Sequence, residues 1–562
     1  VANRLSLFLF LLLFCHNSSS APQQAIATAH PLATQAARQI LEQGGNAYDA
    51  AVAATAVLAV VEPYSSGLGG GGFWMLQSGP HAAPVFIDGR ETAPERAHKN
   101  LYLDKHAKII PNLSVNTVLA AGIPGTPAAI QHINTHYGRL PLRKNLAPAI
   151  QLARKGFKVT PHYQNMVKFR LQQLRRSPAS AAVFLVNNDV PPLGSLIIQE
   201  QLAQTLERMV ASDSRDFYQG KTAALLLDYV SQQGGIWQAS DLHSYQIKER
   251  QPIRFHYKNL TIYSAPPPSS GGIALNTLLN ILDAYPLQDL KPSLRTHYIV
   301  EAMRRAYRDR AQYLGDSDFI DIPINTITSK AYAAGLRASI HPGFTLPSEQ
   351  LPTYDPPASK GTDTTHFVIV DKQGNAVSAT MSINYPFGSG HTATGTGVLL
   401  NNEMDDFSAK PGQPNLYGLV GSTANAIASG KRPLSSMSPS IVTIHPDASS
   451  TDHISARALL GTPGGSRIIT MVLLAMLEIP HNRDPRHWVN LPRFHHQFLP
   501  DIISYEMDAF NEDMINELEE LGHRLKPLSQ PYGNMQAIYQ DLQNNTLKSA
   551  SDKRGEGSAI VF

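Results

Sequence analysis

The stretch Gly361-Thr362-Asp363-Thr364-Thr365-His366-Phe367-Val368-Ile369-Val370-Asp371 decides how this chain is read. Behind it lies the Pro- and Ser-rich segment 346–360, whose composition predicts an exposed, mobile connection. Directly ahead, β-branched and aromatic residues predict a strand, Lys372-Gln-Gly-Asn375 a turn, and 376–384 the returning strand. A hairpin that begins abruptly after a linker is what a chain shows if the linker is to be cut and the strand is to start a new polypeptide. A threonine at such a start has a chemical use. Its hydroxyl is a weak nucleophile until a base removes the proton, and an N-terminal α-amine, with a pKa of about 7.7–8.0, supplies that base within one residue. Cleavage between Asp363 and Thr364 would create it. Thr-Thr at the start of a strand is also ordinary β-propensity, so the residues by themselves leave both readings open.

Toward the N-terminus, 30–62 reads as two helices, the first ended by Gly44-Gly45 and the second apolar nearly all round, which predicts full burial. The glycine-rich Ser65-Ser66-Gly67-Leu68-Gly69-Gly70-Gly71-Gly72-Phe73-Trp74 contains G-x-G-x-x-G, but a helix precedes it and a strand follows. The dinucleotide fingerprint needs the reverse order, so close backbone packing is the better reading. At the start of the chain, Arg4 and the apolar run 5–14 are followed by polar residues. A run of about ten residues is half of what spans a bilayer, which predicts a signal peptide over 1–21 and a periplasmic or secreted protein. Cys15 follows the bulky Phe14, a departure from lipoprotein signals, so lipid anchoring is not expected.

In the middle of the chain, 138–251 shows no chemistry, and Arg170, Arg175 and Arg176 read as a solvated basic face. Farther on, helices are expected over 273–282 and 295–314, a strand over 453–460 and a helix over 466–477. Length alone, 562 residues, allows three to four domains. A hydrophobic share of 43%, a charged share of 16% and 79 Gly and Pro residues exclude coiled-coil, collagen-like and charged disordered classes. A net charge of +3 gives no extended nucleic-acid surface, and one cysteine excludes disulfide scaffolds and Cys-based zinc sites. Phosphate-loop, zinc-protease, EF-hand and G-x-S-x-G motifs are absent from the sequence. His495-His496 could suggest a metal, but adjacent residues on a strand face opposite ways, and structural histidines are expected.

Four segments of the C-terminal half, Asp363-Thr-Thr-His-Phe-Val-Ile-Val-Asp371, Leu400-Asn-Asn-Glu-Met-Asp-Asp-Phe407, Arg432-Pro-Leu-Ser-Ser-Met-Ser-Pro439 and Gly461-Thr-Pro-Gly-Gly-Ser-Arg467, resemble the γ-glutamyltranspeptidases. Leu41-Glu-Gln-Gly-Gly-Asn-Ala47, the Gly67–Phe73 stretch, Ala265-Pro-Pro-Pro-Ser-Ser-Gly-Gly272 and Pro492-Arg-Phe-His-His-Gln497 extend the resemblance over nearly the whole chain. It implies an α+β fold, the αββα sandwich of N-terminal-nucleophile hydrolases. It also implies a precursor that cuts itself before Thr364 into a large subunit, 22–363, and a small one, 364–562, held as one body.

By the same resemblance Thr364 attacks the γ-carbonyl of glutathione or another γ-glutamyl compound. The resulting ester passes to water or to an amino acid or dipeptide acceptor. Ser382 stands where the family usually places a second threonine, eighteen residues after the nucleophile. Gly464 and Gly465 match the oxyanion hole. Arg90, Ser435 and Ser436 match the groups that bind the donor α-carboxylate, Glu403 and Asp406 those that hold its α-ammonium, and Asn384 a side chain nearby. Tyr417, within 410–432, matches the lid of bacterial members. No metal, organic cofactor, nucleic-acid partner or membrane span is expected. Two rivals are a glutaryl-cephalosporin acylase of the same fold, which has no α-ammonium for Asp406 to hold, and an uncut, non-catalytic periplasmic binding protein.

Overall fold

The period-two alternation of the 365–370 run places Phe367 and Ile369 on one face and Val368 and Val370 on the other, and all four are fully buried. Phe367 and Ile369 join a core shared with the helix Ala47–Val61. Val368 and Val370 join a second core with Leu459 and Ile538, which belong to another sheet. A strand covered on both faces has no solvent side to mark with polar residues, which explains the continuous apolar run. The computed structural model describes residues 23–351, 364–449 and 453–562. The expected signal peptide, most of the 346–360 connection and Asp363 lie outside the described residues.

Thr365–Val370 and Ala376–Ser382 are the middle of a seven-stranded antiparallel sheet. Its order is Ser558–Val561, Ala25–Thr28, Thr365–Val370, Ala376–Ser382, Gly71–Gln77, Val85–Gly89 and Lys248–Arg250. A six-stranded antiparallel sheet stacks on it, ordered Thr546–Ser551, Gln536–Asp541, Ala456–Gly461, Ser440–Ile444, Leu260–Ser264 and Ile253–Tyr257. Helices Pro31–Glu42 and Ala47–Val61 cover the outer face of the first sheet, and Leu142–Lys155 packs on them. Helices Gly271–Leu282 and Ile468–Glu478 cover the second, and Pro292–Tyr313 packs on Gly271–Leu282. The result is the expected αββα order; strands from both sides of Thr364 interleave in the first sheet and pair at one junction, Ser440–Ile444 with Leu260–Ser264, in the second.

Local chemistry explains the elements beside the site. Every residue of Ala47–Val61 is buried, as its all-round apolar pattern predicts. Its start is fixed by a capping box, in which the Asn46 side chain accepts from the amides of Tyr48 and Asp49 while Asp49 accepts from the Asn46 amide. The Asp371 carboxylate closes the hairpin turn by accepting from the amides of Gln373 and Asn375, and it also accepts from the Ala47 amide at 2.9 Å. One aspartate thus ties the central hairpin to the buried helix.

Several expectations change. The returning strand ends at Ser382 rather than residue 384, because the Ser382 hydroxyl accepts from the Asn384 amide at 2.7 Å and Asn384 turns to φ +71°. Arg170 does not lie on a solvated face: it is buried, and its guanidinium donates to the carbonyls of Pro386 and Gly388 and to Asn116 Oδ1. Only Arg176, of the three arginines, is exposed. The connection expected to be exposed from residue 346 begins with an anchor, since Ser348 is fully buried and accepts from Arg304 at 2.7 Å. The helix expected over 466–477 starts as a 3₁₀ turn, Gly465–Arg467, before Ile468–Glu478.

Candidate active site

The hairpin register pairs Thr365 with Met381, and one step further along it Thr364 and Ser382 stand opposite each other. The eighteen-residue spacing of the two hydroxyls is therefore a consequence of strand pairing: directly opposed residues bring their Cβ atoms to about 4.5–5.5 Å. Both residues are buried and line a cavity of about 290 Å³. The Gly67–Gly72 stretch permits this approach. A Cβ at Gly70 would lie 2.2 Å from the Ser382 carbonyl oxygen, so the glycines serve backbone packing, as the sequence order implied.

Arg90 follows the strand Val85–Gly89 and is 1% exposed. Its Nη1 lies 2.6 Å from Glu403 Oε2, its Nη2 2.5 Å from Asp406 Oδ2, and its Nε donates to the Pro433 carbonyl at 3.2 Å. Glu403 and Asp406 are the two ends of a single 3₁₀ turn, Glu403–Asp406. Residues i and i+3 eclipse in that geometry, which is why two acids three apart converge on one guanidinium. Burial pushes Glu403 up to about 7 against the pull of Arg90. Asp406 is raised by the same cause, again opposed by Arg90. Burial works against the Arg90 charge, but Glu403, Asp406 and Glu91 together hold the guanidinium above its ordinary range. Burial and the neighbouring Glu403 hold the Glu91 carboxyl well above the usual carboxylate range.

Ser435 and Ser436 enter the same cavity from the segment after Arg432. The Pro-Pro-Pro-Ser-Ser-Gly-Gly stretch holds them: the Ser435 amide donates to the Pro268 carbonyl, and the amide and hydroxyl of Ser270 both donate to the Ser435 carbonyl. Tyr417 closes the cavity. It is buried, its hydroxyl donates to the Asn384 carbonyl at 2.6 Å, and its ring packs so tightly on Gly465 that a Cβ there would come within 2.5 Å. Asp405 straps the same loop by accepting from the Leu416 amide at 2.9 Å. Gly464 and Gly465 adopt φ +145° and +55°, conformations that favour glycine and turn the backbone into the following helix.

Of the expected site residues, Thr364, Ser382, Arg90, Asn384, Glu403, Asp406, Tyr417, Ser435, Ser436 and Gly465 all line this one cavity. Gly464 instead lines a larger one, of about 1560 Å³, which also reaches Thr364 and includes Glu62, His162, Tyr532, Asn534 and Arg554. Thr364 is common to both. Leu419, Met437, Ser466 and Ile468 also line the smaller cavity and were not singled out from the sequence. Their chemistry is ordinary core chemistry, so only the fold distinguishes them. The adjacent histidines are buried structural groups: His495 bonds Thr470 and Gln497, and His496 bonds Asp501.

A family model described as Gamma-glutamyltranspeptidase matches residues 33–562. The chain belongs to the γ-glutamyltranspeptidase family. Among its family relatives is a glutathione hydrolase proenzyme of Pseudomonas sp. (strain A14), 40% identical over 531 residues, covering 93% of this chain and 90% of the relative. The crystal structure of a cephalosporin acylase from Bacillus halodurans superposes with a TM-score of 0.83 at 25% identity, covering 96% of each chain. That of the Helicobacter pylori γ-glutamyltranspeptidase gives 0.56 at 38% identity, covering 57% of this chain and 93% of that one. The γ-glutamyltranspeptidase resemblance read from eight segments and the N-terminal-nucleophile fold it implied are both established by these matches.

Proposed function

We propose that this protein is a γ-glutamyltransferase and glutathione hydrolase that matures by cutting itself before Thr364. The observation that carries the reading is one cavity in which a threonine at a strand start faces a buried Arg90–Glu403–Asp406 cluster and two serine hydroxyls. A γ-glutamyl donor ends in an α-carboxylate and an α-ammonium, and this cavity offers groups of both signs within a small volume.

In the cut enzyme the Thr364 α-amine takes the hydroxyl proton as the oxygen attacks the γ-carbonyl. The carbonyl becomes an oxyanion, which the backbone amides of Gly464 and Gly465 receive at the mouth of a helix, where free N–H groups and the helix dipole favour negative charge. Ser382, opposite Thr364, orients the nucleophile. The ammonium formed at Thr364 then protonates the departing amine as the C–N bond breaks, leaving a γ-glutamyl ester. Water or an acceptor amine attacks that ester in turn, giving glutamate or a new γ-glutamyl peptide and restoring the threonine hydroxyl. Glu403 and Asp406 hold the donor ammonium, Arg90, Ser435 and Ser436 its carboxylate, with Asn384 beside them, and Tyr417 closes over it. The leaving amine departs through the larger cavity on the other side of Thr364, and the acceptor arrives by the same route.

The strand order supports a heterodimer that stays together after the cut, because separating the pieces would tear both sheets, the first at several strand pairs and the second between Ser440–Ile444 and Leu260–Ser264. Among the described residues no helix is long and apolar enough to cross a membrane. Export rests on the sequence of 1–21, and the two N-terminal sequences of the purified protein test export and maturation together. Release of p-nitroaniline from a γ-glutamyl anilide, compared with deacylation of a glutaryl cephalosporin, tests the activity. Faster deacylation of the glutaryl compound would make the protein an acylase. An uncut chain, unchanged by Thr364→Ala, would make it a binding protein.

A further inference from the structure

Arg310 lies in the last turn of the helix Pro292–Tyr313, 5% exposed, and no reading of the sequence singled it out. Most buried arginines of this fold meet an acid: Arg90 meets Glu403 and Asp406, Arg304 meets Asp501, Arg305 meets Glu301 and Arg493 meets Asp552. Arg170 and Arg457, which do not, are filled by carbonyl and amide oxygens. Arg310 has neither. Among the described residues its guanidinium reaches two serine hydroxyls, Nε donating to Ser270 Oγ at 2.9 Å and Nη2 donating to Ser436 Oγ at 3.2 Å. A buried cation with so little compensation is costly to keep.

Its placement gives that charge a use. Ser436 Oγ accepts from Arg310, and Ser435 Oγ accepts from the Met437 amide at 3.0 Å. Neither hydroxyl donates to another group among the described residues, so both protons are available to the cavity that the two serines line. A hydroxyl that accepts from a guanidinium is polarised and becomes a stronger donor. Arg90, meanwhile, is already shared between two carboxylates. Burial pulls the Arg310 charge down while Tyr307 and Asp406 sustain it, in keeping with a site short of one anion.

We infer that Arg310 is the positioning residue of the donor-carboxylate subsite, acting through the Ser436 hydroxyl. The inference rests on the γ-glutamyl reading of the cavity. It adds Arg310 to the positive charge that Arg90, itself shared with Glu403 and Asp406, presents to the donor carboxylate.

The test compares kcat/KM for γ-glutamyl-p-nitroanilide with that for 4-aminobutyryl-p-nitroanilide, which keeps the ammonium and lacks the carboxylate. The wild type prefers the first, and Arg310→Gln reduces that preference about tenfold or more, through KM rather than kcat. Arg310→Lys retains part of it. Ser436→Ala reduces the same ratio, and the double variant adds less than the sum of the two singles. A purely structural Arg310 would instead lower both substrates equally, and an unchanged ratio in Arg310→Gln overturns the inference. Should Arg310→Gln accumulate as uncut chain, an unchanged ratio in both Arg310→Lys and Ser436→Ala overturns it. A wild type with no preference between the two anilides would overturn the γ-glutamyl reading itself, a separate failure.

Discussion

Two cavities meet at Thr364, and they are built on opposite plans. The smaller, about 290 Å³, gathers Arg90, Glu403, Asp406 and two serine hydroxyls under the Tyr417 ring. The larger, about 1560 Å³, is walled mainly by neutral polar and aromatic groups; of its two charged residues, Arg554 pairs with Glu506 and Asp552, and burial pushes the Glu62 carboxyl up to about 7. A closed cavity of paired buried charges discriminates, because a ligand lacking one charge leaves its protein partner desolvated and unmatched. A roomier cavity lined mainly by neutral groups imposes no such penalty. The comparison predicts an enzyme strict about the acyl group and tolerant of the amine it releases or accepts.

The residue common to both cavities carries the largest expected effect. Thr364→Ala should abolish the two-chain pattern by intact-mass analysis and all release of p-nitroaniline, and two chains in that variant would break the scheme for both cavities. Next is the charged wall. Asp406→Ala should raise KM for γ-glutamyl anilides about tenfold to a hundredfold while self-cleavage proceeds, because Arg90 keeps Glu403 as its partner. Normal donor affinity would remove Asp406 from the site.

The pH dependence of the small cavity should be nearly as large. Glu403 faces Arg90, Asp406, Glu91 and Ser382, and its carboxyl takes up a proton as pH falls through about 7. The donor ammonium needs the ionised form, so KM should rise about tenfold per unit below that point, and Glu403→Gln should flatten this limb. The sign for stability is opposite. The native carboxyl keeps its proton up to about 7 whereas the unfolded one loses it near 4.5, so this group's contribution to stability declines as pH rises between those values, measurable as a falling denaturation midpoint.

Smaller changes sharpen the contrast. Tyr417→Phe removes one hydrogen bond to the Asn384 carbonyl and should raise donor KM about fivefold, with bulkier acyl anilides gaining relative to γ-glutamyl ones. Gln530→Ala, on the rim of the large cavity, should change donor KM less than twofold and register only in the choice of acceptor. A larger effect of Gln530→Ala on the donor than on the acceptor would erase the distinction between the cavities.

The sequence by itself determined what rests on local pattern. A run of β-branched and aromatic residues predicted the strand Thr365–Val370, and the apolar circumference of the second helix predicted its full burial; that the strand is covered on both faces was decided by the fold. Thr364 was legible as the start of a strand after a linker, whereas Ser382 came from the family resemblance, and the hairpin register accounts for its place opposite Thr364. Eight short segments in order carried the family. The tertiary structure alone decided which charges meet. Arg90 and Asp406 are 316 residues apart, and no spacing rule connects them. Arg170 reads as solvated until it is found under the Pro386 and Gly388 carbonyls. Arg310 left one trace, falling at helical spacing with buried Met303 and Tyr307, yet a charge on an apolar stripe does not name its partner. The reason is physical: periodicity reports which face of an element is buried, whereas the energy of a buried charge depends on groups delivered by other elements, and only the packed fold brings those together.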